Sequence, residues 1–234
     1  MMNQPMQPSN NPAEIRETRS IFVAKTYLWM FLGLLTTFVV SIAAIGSGLF
    51  YYILATPVIF YALLIAEVAL VFILAGRLQK MSTGVAKWMF FLYAVVNGVT
   101  LSSIFFLYEL ESVALIFAGA AVIFGIMSLF GYVTKNDLSG VGKVAIFGIL
   151  GLAVFWLLSL VLNLSRFEMI ISFIGLALFL AITAYDTQKI KKLYTVYQYD
   201  EVMLQKASIY SALQLYLDFI NVFLYLLRLL GKRR

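Results

Sequence analysis

Residues 207–230 read ASIYSALQLYLDFINVFLYLLRLL. At 1.5 Å per helical residue this run reaches about 36 Å, more than the roughly 30 Å hydrocarbon core of a bilayer. Its polar members, Ser211, Gln214, Asp218, Asn221 and Tyr225, follow steps of three, four, three and four. That spacing places them on one face of a helix otherwise built from Leu, Ile, Val and Phe. A helix that is apolar on most faces and polar along one stripe fits a membrane-spanning segment whose polar side meets other helices or water.

The rest of the chain repeats the run. Six further apolar stretches, 26–45, 52–76, 88–108, 112–133, 143–163 and 169–188, are each close to the length that crosses a membrane. The expected fold is therefore an all-α polytopic membrane protein of seven transmembrane helices. Composition agrees: of 234 residues 63% are hydrophobic and 12% charged, with a mean hydropathy of +0.96, too little charge to cover a water-soluble surface. Residues 1–25, with three of the four prolines, read as a flexible cytoplasmic tail, residues 26–231 as the membrane domain and residues 232–234 as a basic tail. No cleavable signal peptide is read, because the first apolar stretch has the length of a full span. The connections are short except residues 189–206, read as a long sixth loop, so function is expected inside the bundle.

Lys and Arg orient the chain. Twelve lie in the first 25 residues and the second, fourth and sixth loops, against Arg166 alone in the first, third and fifth. The amino terminus is thus expected in the cytoplasm. Arg228, Lys232, Arg233 and Arg234 contradict the rule if all seven runs cross, so either the last helix spans against it or one run re-enters. The net charge of +6 is explained by topogenic residues facing anionic lipid, and no nucleic-acid partner is expected.

The absence of Cys and His removes disulfides, thiol nucleophiles and zinc sites of the usual kind, and leaves proton sensing near neutral pH to carboxylates. Of eleven acidic residues, only Glu67, Asp186 and Asp218 fall within spans. A carboxylate at that depth is protonated, paired, or lines a water-filled cavity. Asp186 lies three residues before Lys189, Asp218 about 16 Å in from Ala207, and Glu67 about 15 Å in from Arg77. One pathway from the cytoplasm could meet all three, with Arg77 at its mouth. Arg77 reads equally as a snorkelling flank residue. The uncharged Asn97, Gln214 and Asn221 read as pathway lining or as interhelical hydrogen-bond glue.

Two segments are more specific than hydropathy: AYDTQKIKK (184–192) and ALQLYLDFINVFLYLLRLLG (212–231), preceded by NGVTLSSIF (97–105) and TKNDLSGVGK (134–143). These resemble the bacterial branch of the Bax inhibitor-1 family, also called the transmembrane Bax inhibitor motif family. The resemblance implies that six helices surround a central last one. It also implies a pH-sensitive, calcium-permeable leak in the bacterial inner membrane, governed by a hydrogen-bonded pair, Asp186 and Asp218. Arg77 corresponds to a latch on that pair, and Glu67 to an acid lining the path. No cofactor is expected; Ca²⁺ and H⁺ are the implied ions, and a membrane-bound protease is an alternative partner for a non-transporting regulator. No enzyme activity is expected. An intramembrane aspartyl protease shares the Tyr-Asp and Asp arrangement, but Asp218 follows Leu215-Tyr216-Leu217 where such enzymes carry Gly-x-Gly, and no Pro occurs after Pro57.

Overall fold

The computed structural model describes residues 18–162 and 165–233. Among these the chain forms nine α-helices and one 3-10 turn: α1 (Arg19–Gly46), α2 (Leu49–Ala55), α3 (Pro57–Arg77), α4 (Thr83–Leu101), α5 (Ile104–Leu107), α6 (Leu110–Val133), α7 (Ser139–Leu162), the turn Ser165–Phe167, α8 (Glu168–Tyr197) and α9 (Glu201–Leu230). Seven are long and apolar enough to cross a membrane: α1, α3, α4 continued by α5, α6, α7, α8 and α9. The protein is an integral membrane protein of the class its sequence indicates.

Two boundaries differ from the hydropathy reading, each for a local reason. The second apolar run is cut at Thr56, whose φ of −124° and ψ of 87° leave the helical region, and Pro57 opens α3. Proline suits a first helical position, where its missing N–H is not needed, and disfavours helix at the residue before it. Residues 52–55 therefore belong to the short α2. The long sixth loop does not exist: α8 continues to Tyr197, α9 starts at Glu201, and only Gln198–Asp200 connect them. Asp200 caps α9 by accepting a hydrogen bond from the Met203 N–H at 2.9 Å. Hydropathy falls at Lys189 because the lipid ends there, while the helix runs on into water. Residues 19–25, assigned from sequence to the tail, are the first two turns of α1; the rest of that tail, residues 1–17, lies outside the described residues.

Side-chain contacts assign the loops to two ends. The start of α1 lies against the end of α8, with the Phe22 and Tyr194 rings 5.8 Å apart. Lys192 pairs with Asp137 of the fourth loop at 2.8 Å, and Lys206 donates to the Gln79 carbonyl of the second loop at 3.2 Å. These loops share the end from which α1 departs. At the other end, Phe50 of α2 meets Phe106 at 6.2 Å, and the chain terminus joins the third and fifth loops: Lys232 pairs with Glu109 at 3.0 Å and Arg233 with Glu168 at 3.3 Å. Arg233 also forms an isolated antiparallel bridge with Tyr108. The start of α1 and the end of α9 therefore lie on opposite faces of the bundle, as seven crossings require. The terminal charges that break the Lys/Arg rule are in part neutralised by local carboxylates.

Burial is distributed unevenly. Over its apolar window α9 is 56% buried, against 6% for α3 and 11% for α7. Helices α1, α4, α6 and α8 pack on α9, whereas α3 lies mainly on α4 and α7 on α8. The α6–α8 approach needs Gly131, where an added Cβ would overlap the Ala184 carbonyl. Small residues at such crossings let backbones come close where no hydrophobic force joins helices in lipid.

Candidate functional site

Helices α8 and α9 are joined by three residues, which makes them antiparallel neighbours, and the polar stripe of α9 faces α8. At the cytoplasm-proximal end of the contact, by the orientation read from sequence, Lys189 donates to Gln214 Oε1 at 3.3 Å and stands 5.6 Å from the Tyr210 ring centroid. One turn deeper are Asp186 and Asp218, both buried and close enough to interact electrostatically. Lys189 Nζ is 4.0 Å from Asp186 Oδ1. Asp218 Oδ2 is buried without a hydrogen-bond partner. Farther along, the Tyr225 ring rests against the Phe179 ring, centroids 5.8 Å apart, and lies directly on Gly175, where a Cβ would overlap it.

Asp186 and Asp218 interact electrostatically across the α8–α9 contact, with two differences from what the family resemblance implies. Among the described residues no hydrogen bond joins the two carboxyls, and the cation beside them is Lys189. Arg77 sits exposed at the end of α3 and, among the described residues, joins no ion pair.

Glu67 is not part of this group. Its carboxyl faces Asn97 and Thr100 of α4, and Oε1 is buried without a partner. Asn97 Oδ1 in turn accepts from the Tyr216 hydroxyl at 2.8 Å, and that hydroxyl is hydrogen-bonded to Thr37 Oγ1 at 2.6 Å. Tyr216 and Asp218 are two residues apart, so they leave α9 in directions roughly 200° apart. The single pathway expected to meet three acids is therefore divided by α9 itself: the Asp pair lies on its α8 side and Glu67 on its α1 and α4 side. Asn221 bonds back to the Leu217 carbonyl at 2.8 Å and belongs to the outer half of the stripe.

Some supporting residues carry no mark in the sequence. Gln188 accepts from the Leu138 N–H at 2.9 Å and donates to the Asn136 carbonyl at 2.7 Å, which fastens the fourth loop to α8 beside Asp186. The exposed Asp137 carboxyl is held down to about 2 by hydrogen bonds from the Lys192 ammonium and from Ser139. The two sequence segments 134–143 and 184–192 are thus one structural unit. Tyr27, hydrogen-bonded to Thr187 at 3.0 Å, brings α1 to the same place. Tyr216 is the largest fully buried side chain among the described residues; the alternation in Leu215-Tyr216-Leu217 shows only that it opposes the polar stripe.

The described residues hold no cluster of three or more acidic side chains placed to grip a metal ion. The contact between α8 and α9 thus holds two buried carboxyls and one ammonium, groups that can bind or release protons.

Known proteins resemble this chain over nearly its whole length. The family model described as "Inhibitor of apoptosis-promoting Bax1" matches residues 19–234. "Inner membrane protein YbhL" of Escherichia coli K12 is 40% identical over 228 residues, 97% of either chain. An uncharacterized protein of Deinococcus radiodurans is 40% identical over 213 residues, covering 91% of this chain and 90% of its own. One from Borreliella burgdorferi is 37% identical over 214 residues, 91% of this chain and 92% of the relative.

Proposed function

Because this chain belongs to the Bax inhibitor-1 family, we propose that it is a pH-sensitive, calcium-permeable leak of the bacterial inner membrane, with its amino terminus in the cytoplasm. The observation that carries the reading is Asp218: a buried carboxyl with an unpartnered oxygen, next to a second buried carboxyl, inside a membrane-spanning contact. An amide would fill that position at lower cost, so an ionisable group there has a use in its charge. Two carboxyls this close cannot both ionise cheaply, and they share protons as a pair. When a proton leaves, the added negative charge attracts cations and water between α8 and α9. When it is bound, the packed Phe179, Gly175 and Tyr225 keep the path shut. The inner-membrane location is carried over from the name of the Escherichia coli relative and fits the long apolar helices.

Lys189 acts as the resident cation of the closed arrangement, and Arg77 as a latch only if α3 and its loop move toward the pair. The decisive test is ion flux in vesicles that contain only this protein, measured for Ca²⁺, K⁺ and H⁺ across pH. Flux of Ca²⁺ with a pH dependence that Asp218→Asn flattens is the expected result. No flux of any ion would overturn the reading and move the assignment to a non-transporting membrane regulator, for which a membrane-bound protease is the partner to try first.

A further inference from the structure

Helices α7 and α9 both pack on α8, and the cleft between their outer ends is a cavity of about 540 Å³. Its two walls differ in chemistry. On the α7 side it is lined by Leu152, Phe155 and Trp156, with Ser159, whose hydroxyl is already given to the Trp156 carbonyl. Leu150, Val154 and Leu157 of α7 are exposed, which for a spanning helix means contact with lipid tails. The other side carries Ser172, Asn221, Tyr225 and Arg228. Arg228 is in the last turn of α9 and Glu168 at the rim opens α8, so this rim lies at the depth of the lipid headgroups, with Asn221 about 10 Å deeper along α9.

The polar groups are short of an acceptor. Ser172 is 1% exposed, yet its Oγ has no hydrogen-bond partner, an uncommon state for a buried hydroxyl. Asn221 spends one amide hydrogen on Leu217 and keeps a second. The Arg228 guanidinium stacks 5.6 Å from the Tyr225 centroid and, among the described residues, joins no carboxylate. Glu168, the nearby acid, is already matched by Arg233 at 3.3 Å. What is missing is an anionic group with several acceptor oxygens at the mouth, continuous with hydrocarbon along α7.

We propose that this cavity is a binding site for a membrane phospholipid. Its phosphodiester accepts from Arg228, from the Ser172 hydroxyl and from the free Asn221 amide hydrogen, and one acyl chain lies against Leu152, Phe155 and Trp156. Guanidinium and phosphate are well matched in charge and in hydrogen-bond geometry, and the volume is in the range of small-molecule sites. The proposal does not depend on ion flux.

The test uses the full chain, purified in detergent and stripped of lipid. Retained lipid is read by native mass spectrometry and the melting temperature by a thermal-shift assay, with phosphatidylethanolamine, phosphatidylglycerol, dioleoylglycerol or sodium phosphate added. Either phospholipid is expected to bind and raise the melting temperature, and dioleoylglycerol or phosphate alone to do little. Arg228→Gln, at an exposed position that leaves the lipid-free melting temperature unchanged, should weaken phospholipid binding by about tenfold, the loss of one charge-assisted hydrogen bond. Ser172→Ala should weaken it by a smaller factor. Equal binding of dioleoylglycerol and phospholipid, or unchanged binding by Arg228→Gln, would overturn the proposal in favour of tail packing. A full effect from phosphate alone would also overturn it, in favour of a soluble anion site.

Discussion

The two faces of α9 are both polar and both buried, yet they are built differently. Toward α1 and α4, Tyr216 is held by Thr37 and Asn97 through bonds of 2.6 and 2.8 Å, and the rings of Phe90 and Tyr93 meet it edge-on. Toward α8, Asp218 faces another carboxyl and keeps an oxygen without a partner. A closed hydrogen-bond network holds helices together, whereas an unsatisfied ionisable group stores a cost that a change of state can release. On the proposed reading the first face is structural and the second responsive, and Glu67 puts one unpartnered buried oxygen on the first face as well. Glu67, on the rim of the first network, tests how sharp the division is.

The largest expected effect sets the two faces against each other in the pH dependence of flux. Asp186→Asn and Asp218→Asn should each flatten the profile, and the double variant should add little, because on the proposed reading the two titrate as one unit. Glu67→Gln, separated from them by α9, should combine additively with either. Additive effects of the two Asp variants, or strong coupling of Glu67 to Asp218, would break the division.

Stability gives the next contrast, with opposite signs. Tyr216→Phe strips the hydroxyl that joins α1, α4 and α9, at a cost of about 1–2 kcal/mol and a drop of roughly 2–4 °C in melting temperature per kcal/mol. Asp218→Asn should leave the melting temperature where it is or raise it, since it removes a buried group without a full set of partners. A larger loss for Asp218→Asn than for Tyr216→Phe, in thermal unfolding, would reverse the assignment of the two faces.

Two cations sharpen the picture at the pathway mouth. Lys189→Ala removes the ammonium 4.0 Å from Asp186 and should raise basal leak at neutral pH, because a buried acid left without its cation favours hydration. Arg77→Ala, at an exposed residue with no ion pair among those described, should change leak less. The reverse order in a vesicle leak assay would show that α3 swings toward the pair and that Arg77 is the latch.

The smallest effect is at Asp137. Its pKa of about 2 lies below the ordinary 3.8, so its bond to Lys192 contributes to fastening the fourth loop above the ordinary value and loses that contribution as pH falls through about 2. Asp137→Asn should cost little at neutral pH, because the pair is exposed and screened by solvent. The difference from the unsubstituted chain should vanish by about pH 2 in a backbone-exchange measurement of the loop.

Hydropathy and charge made the seven crossings legible in the sequence, because the cost of exposing polar backbone to lipid acts on each run separately. The step of three and four in residues 211–225 likewise showed that α9 has one polar face, and the scarcity of membrane acids singled out Asp186, Asp218 and Glu67. Pro57 carried the break between α2 and α3 in plain view. Helix beyond the membrane, from Lys189 to Tyr197, was not legible, since hydropathy reports lipid contact and not where a helix stops.

The amino-acid sequence by itself determined that this chain lives in a bilayer and that seven of its runs are long and apolar enough to cross one, because these follow from transfer costs and from rise per residue. Only the tertiary structure decided that Glu67 answers to Tyr216 and Asn97 while Asp186 answers to Asp218, that Lys189 rather than Arg77 stands beside the pair, and that Glu109 and Glu168 receive the terminal charges. Depth is a property of one helix, but partnership depends on the rotation of each helix about its own axis, and that is set jointly by close approaches such as Gly131 on Ala184 and Gly175 beneath Tyr225.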